Sequence, residues 1–201
     1  IKANSGLTIN PAATLTVNER LLNEAGASQL VIASDATGTG SLIHSLTDVA
    51  ATIQRYLTGG WGGWNSGWHQ ISSPVAAQAI SNFETTGAGN GYDFYGWAES
   101  TNLWMNYKAD GFSGWNGGTN FNVGQGYMVS YEASTSTKTF TGTLNAANET
   151  VNSLSKTGGE LTGWHLLGNP FASALTWNDG NWALSNVAGN AKIWHEANKS
   201  Y

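Results

Sequence analysis

The feature that most constrains this chain is a spacing. Leu7 and Ile9 recur 23 positions later as Leu30 and Ile32, and Ile53 follows Leu30 by the same interval. Each lies in a short run with period-2 alternation, as in Leu7-Thr8-Ile9, Leu15-Thr16-Val17, Leu30-Val31-Ile32 and Leu42-Ile43. Small polar residues, glycine or Asn10-Pro11 punctuate these runs, which reads as strands rather than helices. Glu19 to Ala27 alone has helical character, enough for about one turn. A strand this short buries its face only against neighbours, so a fixed offset predicts an all-β chain built as a right-handed parallel β-helix, a solenoid with short strands. The alternative is a solenoid N-terminal part, residues 1–58, followed by a β-sandwich-like domain. Hairpins of a sandwich would give the same local pattern.

From Gly59 the texture changes to tryptophan and glycine, and residues 59–201 read as a Trp/Gly-rich β region. A second repeat appears there. Gly67-Trp68-His69-Gln70-Ile71-Ser72-Ser73-Pro74-Val75-Ala76 matches Gly163-Trp164-His165-Leu166-Leu167-Gly168-Asn169-Pro170-Phe171-Ala172 at an offset of 96, and Trp97 answers Trp194 at 97. The duplication spans about 67–131 and 163–201. The second copy is incomplete, because nothing answers the strand at Gly124–Tyr131. The expectation is that the parent protein continues beyond it.

Composition narrows the function classes. Eight cations against 13 carboxylates give a net charge of −5, which argues against a nucleic-acid binder, since that needs a basic stripe to displace counterions. No apolar run approaches the length of a membrane span. Ten tryptophans argue against disorder. With no cysteine there is no disulfide framework and no thiolate site. Low charge with abundant Gly, Ser, Thr and Asn suits a secreted or cell-surface protein.

The run from Leu7 to Pro11, the run Ser34-Asp35-Ala36-Thr37-Gly38-Thr39-Gly40-Ser41-Leu42-Ile43, the two W-H-x-[IL]-x-[NS]-P boxes and the Gly124-Gln125-Gly126-Tyr127-Met128-Val129 strand resemble the β-solenoid stalks of secreted, surface-attached Bacteroidota proteins. Within that group the chain is similar in size and aromatic richness to β-helical carbohydrate-binding modules attached to plant-cell-wall hydrolases, xylanases above all. The resemblance implies a covalently linked catalytic domain and a polysaccharide partner. It matches scaffold residues and carries no ligand-binding signature.

Catalytic signals are weak. A glycoside hydrolase needs two carboxyls about 5–9.5 Å apart, and the carboxylates here are scattered singly, so this segment reads as non-enzymatic. No H-x-x-x-H or H-E-x-x-H pattern supports zinc. No cofactor is expected. Calcium is the one metal the oxygen-rich turns could suit, at Asp35 or Asn178-Asp179-Gly180-Asn181, and an Asx-turn explains both more simply. Gly87–Gly91 lacks the strand-to-helix context of a phosphate loop.

The tryptophans carry the informative signal. A pyranose has a flat apolar face edged by hydroxyls, and its natural receptor is an exposed indole beside amides. Trp68, Trp97, Trp164 and Trp194 sit at duplicated positions in apolar runs and are expected in the core. Trp177 and Trp182 lean structural, and Trp104 is ambiguous. Trp61, Trp64 and Trp115 lie in glycine-rich loops, where burying an indole is hard and function concentrates. They are the expected sugar platforms, with Asn65, Asn116, Tyr92 and Asp93 as hydrogen-bonding partners. The expected function is a non-catalytic carbohydrate-binding module for plant cell-wall β-glycan, xylan first, that targets an attached glycoside hydrolase. A structural or adhesive stalk without a saccharide ligand is the alternative, and a pectinase-like β-helix enzyme the third. Open solenoid ends leave room for a homo-oligomer.

Overall fold

The computed structural model describes residues 1–60, 66–83, 91–116, 118–133, 135–146, 148–152, 154–193, 198 and 200. The first strands follow the alternating runs: β1 (Leu7–Ile9), β2 (Thr14–Thr16), β3 (Leu30–Ile32), β4 (Ser34–Asp35), β5 (Gly38–Thr39), β6 (Ser41–Ile43) and β7 (Ala50–Thr58). The Trp-rich region supplies β8 (Trp68–Ile71), β9 (Tyr92–Ala98), β10 (Leu103–Asn106), β11 (Tyr127–Tyr131) and β12 (Thr135–Thr143), with a four-residue helix α1 (Tyr107–Asp110) after β10. Glu19 to Ala27 forms no helix; the nearest helical turn is a 3-10 turn at Ala27–Gln29.

Two four-stranded sheets organise the molecule, ordered β1-β3-β7-β12 and β10-β9-β11-β8, with two small pairs, β2-β6 and β4-β5. None is closed and none is a solenoid, so the expected parallel β-helix, alone or as an N-terminal part, is overturned. The pairing shows why. Leu7 pairs in parallel with Leu30, and Ile9 with Ile32, but Ile53 pairs with Ile32 rather than with Leu30. The interval therefore drifts from 23 to 21. Beyond β7 the parallel stack stops altogether. The far edge of β7 is taken by β12 in a nine-residue antiparallel ladder from Ala50↔Thr143 to Thr58↔Thr135. A rung needs parallel neighbours on both sides, and an antiparallel ladder spanning the whole strand leaves no edge for another one.

The second sheet is wholly antiparallel, with β9 between β10 and β11, and β8 outside β11. Alternation along β9 sends Tyr92, Phe94, Gly96 and Ala98 inward and Asp93, Tyr95 and Trp97 outward. The inward side meets the first sheet through an aromatic bridge. Phe140 of β12 packs on Phe83 at 4.5 Å and on Phe121 at 5.4 Å between ring centres, and Phe121 packs on Phe94 at 5.7 Å. One buried cluster therefore contains Ile9, Ile32 and Ile53 together with Phe94, Phe112 and Tyr127. Edge-to-face pairs of this kind add about 0.5–1.5 kcal/mol each beyond area burial.

The duplicated boxes meet each other. The first is β8 and the turn behind it. The second forms an isolated bridge, Gln125↔Leu167, beside the start of β11. The Ser72 hydroxyl donates to the Asn169 carbonyl at 2.6 Å. Asn145 Nδ2, buried, donates to the Ser73 carbonyl at 3.3 Å and to the Pro170 carbonyl at 2.9 Å, tying the two boxes at nearly corresponding positions.

Candidate functional site

The outward side of the second sheet is where aromatic groups collect without a core to fill. Cross-strand register places Trp97 of β9 opposite Trp104 of β10, and Ser130 of β11 opposite both Asp93 and Trp68. Their side chains therefore share one face with Tyr95, Gln70, Met128 and Asn106. Trp97 and Trp104 meet edge-on with ring centres 5.3 Å apart, and Trp68 lies 5.9 Å from Tyr95. Trp104 is 41% exposed.

Polar groups edge this band. Asn106 Nδ2 donates to the Tyr95 hydroxyl at 3.3 Å, and Lys108 Nζ pairs with Asp93 at 3.1 Å. Desolvation first, then the Asp93 charge, raise the Tyr95 phenol above its usual pKa and keep it a neutral donor. At the other end the Trp97 indole N–H donates to the Trp164 carbonyl at 2.7 Å. That contact brings Trp164, 47% exposed, alongside the band.

A single carboxylate holds the segment carrying Trp164. Glu99, only 5% exposed, accepts from the Ser155 hydroxyl (2.5 Å), the Thr157 amide (2.8 Å) and hydroxyl (3.1 Å), and the Gly163 amide (2.7 Å). These donors, the Ser155 hydroxyl foremost and the Gly163 amide next, lower its pKa to about 2. A carboxylate so held stays ionised, the reverse of a general acid, whose pKa must be raised. Its role here is a clamp.

A cleft of about 350 Å³ lies between the end of this sheet and residues 150–167, with Trp97, Trp115, Asn116, Gln125 and His165 among its walls. His165 donates from Nε2 to the Ser155 carbonyl at 2.8 Å.

The residues expected as a site divide among these places. Trp61, Trp64 and Asn65 lie outside the described residues. Trp115 and Asn116 line the cleft together, but Trp115 does not stand free. It packs against Phe112 and Tyr127 and over Gly96, where an added Cβ would fall 2.0 Å from its ring. The Asn116 amide is engaged, donating to the Tyr127 hydroxyl at 3.4 Å and accepting from the Gly118 amide at 3.1 Å. Tyr92 points inward and is 8% exposed, a core residue rather than a surface hydrogen-bonder. Asp93 lies on the aromatic face, opposite the side on which Trp115 packs. The structure thus brings Trp115 and Asn116 together and separates them from Asp93.

Trp68, Trp97 and Trp164, expected as core, are instead on or beside the outward face. Both parities of β9 carry aromatic rings, so the strand period alone does not mark this side, and Asp93 on the parity of Tyr95 and Trp97 is the one polar hint to it. His69 is held by the Thr58 carbonyl, while Trp194 lies outside the described residues. The turns weighed for calcium are Asx-turns, with Asp35 accepting from the Thr37 amide at 2.7 Å and Asp179 from the Asn181 amide at 3.1 Å. Among the described residues no cluster of three or more acidic or histidine side chains is arranged to hold a metal ion, and no helix is long and apolar enough to cross a membrane.

No curated protein and no solved structure matches the chain. A family profile does match, across residues 1–201, and the protein accordingly belongs to the family described as a domain of unknown function, DUF8693.

Proposed function

We propose that this chain is a non-catalytic carbohydrate-binding module for plant cell-wall β-glycan, xylan first, acting in a secreted or cell-surface protein and targeting an attached glycoside hydrolase. The observation that supports it is the outward sheet face on which Trp68, Tyr95, Trp97 and Trp104 lie together, with Trp164 exposed at its flank. Strands about 4.8 Å apart carry the band across the sheet, so its length suits a short run of sugar rings laid across the strands. Gln70, Asp93 and Asn106 supply both donors and acceptors along it. A ring covering roughly 80–100 Å² of indole gains about 2 kcal/mol. Two or three such contacts, less the cost of association, give a Kd of order 10 μM to 1 mM. Tethering to an enzyme makes affinity of that order sufficient.

Affinity gel electrophoresis against xylan, β-glucan, mannan and pectin tests the reading. Retardation by one β-glycan is expected, lost in Trp104→Ala and Trp164→Ala, both of which leave the buried core untouched. Loss confined to a Trp61→Ala/Trp64→Ala double variant would move the site to that segment of the sequence. No retardation by any glycan would leave the stalk reading in its place.

A further inference from the structure

The second copy of the internal repeat is arranged like the first but lacks its middle. In the first copy β11 runs between β8 and β9: Ser130 faces Trp68 on one side and Asp93 on the other, and Met128 faces Gln70 and Tyr95. On the outward side of β11 the Trp68 and Tyr95 rings come within 5.9 Å of each other. The offsets of the duplication, 96 and 97, carry Trp68 to Trp164 and Tyr95 to Lys192. That pair is in contact too, with Lys192 Nζ 5.2 Å from the centre of the Trp164 ring. The two flanks of the second copy are therefore held together through the same pair of positions.

Between them no strand runs. Among the described residues, 163–193 form no strand beyond the single bridge Gln125↔Leu167. That bridge uses one edge of the box: the Gly126 amide donates to the Leu166 carbonyl and the Gly168 amide to the Gly124 carbonyl, both at 2.9 Å. Ladder groups of successive residues point to opposite edges, so those of His165 and Leu167 face the other way. There they have no backbone partner among the described residues. The Leu167 side chain is uncovered as well. It stands at the position of Ile71, which pairs with Tyr127 of β11; Ile71 is 7% exposed and Leu167 39%. Ile193, at the position of Gly96 on the other flank, is also exposed.

A free ladder edge beside uncovered apolar side chains is a template for one more strand. The first copy gives the chemistry of that strand. Tyr127, Val129 and Tyr131 enter the core on one parity, and Met128 and Ser130 take the other. A second copy of the chain has no β11 to lend, because β8 and β9 hold both edges of that strand. We propose that the second copy binds, between Trp164–Leu167 and residues 189–193, one β-strand of the β11 type supplied by the same polypeptide, as β11 is in the first copy. The strand is an extended segment with two aromatic side chains flanking a β-branched one on its inward parity. It closes the free edge, covers Leu167 and leaves Trp164 on the outward side, where Trp68 lies. The inference is independent of the glycan reading.

Hydrogen exchange on the full chain tests it, with a synthetic peptide of the sequence 124–131 as the probe and a scrambled peptide as the control. At about ten times the peptide's Kd, exchange at the His165 and Leu167 amides is expected to slow about tenfold, and the scrambled peptide to change nothing. Leu167→Lys alters an exposed side chain outside the core and is expected to abolish the response. A variant with the same segment fused after Tyr201 through a flexible Gly/Ser linker raises its effective concentration and should show the protection without added peptide. No added protection in the fused variant overturns the proposal. Protection that arises in the unmodified chain together with concentration-dependent dimerisation in sedimentation also overturns it, by making a second copy the occupant.

Discussion

Gly96 shows how much can turn on one missing side chain. It sits on the inward parity of β9 between Phe94 and Ala98, and the Trp115 ring occupies the space where its Cβ would be. Only glycine lets an indole lie against the backbone there, and the ring in turn seals one side of the cleft. Gly96→Ala is therefore expected to expel Trp115 and to cost about 1–3 kcal/mol, as overpacking does. A fall in denaturation midpoint, with a red shift in tryptophan emission, checks it. An unchanged midpoint would mean that Trp115 has room to move aside. The contrast with Trp104 is instructive. That indole lies on the outward side of an edge strand, where Trp104→Ala removes exposed surface and leaves stability within about 0.5 kcal/mol.

At the scale of elements, the segment 155–163 has no regular strand or helix to hold it, and Glu99 does so through four donors. A carboxylate whose folded pKa is lowered contributes fully above its unfolded value, 4.5, and loses that contribution as pH falls through the folded value, about 2. Hydrogen exchange at the Thr157 and Gly163 amides should thus accelerate between about pH 4.5 and 2, beyond the intrinsic pH effect on exchange. Glu99→Gln should show the same loosening at neutral pH, because an amide presents one acceptor oxygen instead of two. Protection unchanged across that window would show that the Trp97–Trp164 contact holds the segment without the clamp.

Across the whole molecule, Asn145 joins the two halves of the internal repeat. Its buried amide serves the Ser73 and Pro170 carbonyls at once, so Asn145→Ala strands two buried acceptors, each worth about 1–3 kcal/mol when left unmade. A loss of several kcal/mol in chemical denaturation is expected, since both boxes border the shared core. A loss under about 1 kcal/mol would show that water replaces the amide. The β7–β12 ladder acts at the same scale. It joins residues more than 75 positions apart and converts what begins as a parallel stack into one edge of an open sheet.

The local strands were legible because alternation of β-branched and polar residues is a local property: Leu7–Ile9 and Leu30–Ile32 pair at the interval read from the chain. The supply of indoles and amides was equally plain. The architecture was not, because a short parallel run looks the same whether a further rung or an antiparallel strand follows, and Thr135–Thr143 bears no mark of its attachment to Ala50–Thr58. Nor was the outward aromatic face legible. In Tyr92–Ala98 both parities carry aromatic rings, Tyr92 and Phe94 on one, Tyr95 and Trp97 on the other, so period alone does not say which is buried. Packing decides it: Phe83, Phe121 and Phe140 fill the space between the sheets and take Phe94 as their neighbour. Sequence by itself determined that this chain would be made of strands and rich in aromatic groups. The tertiary structure decided which of those groups the core would claim, because burial is a property of the partner surface and not of the residue.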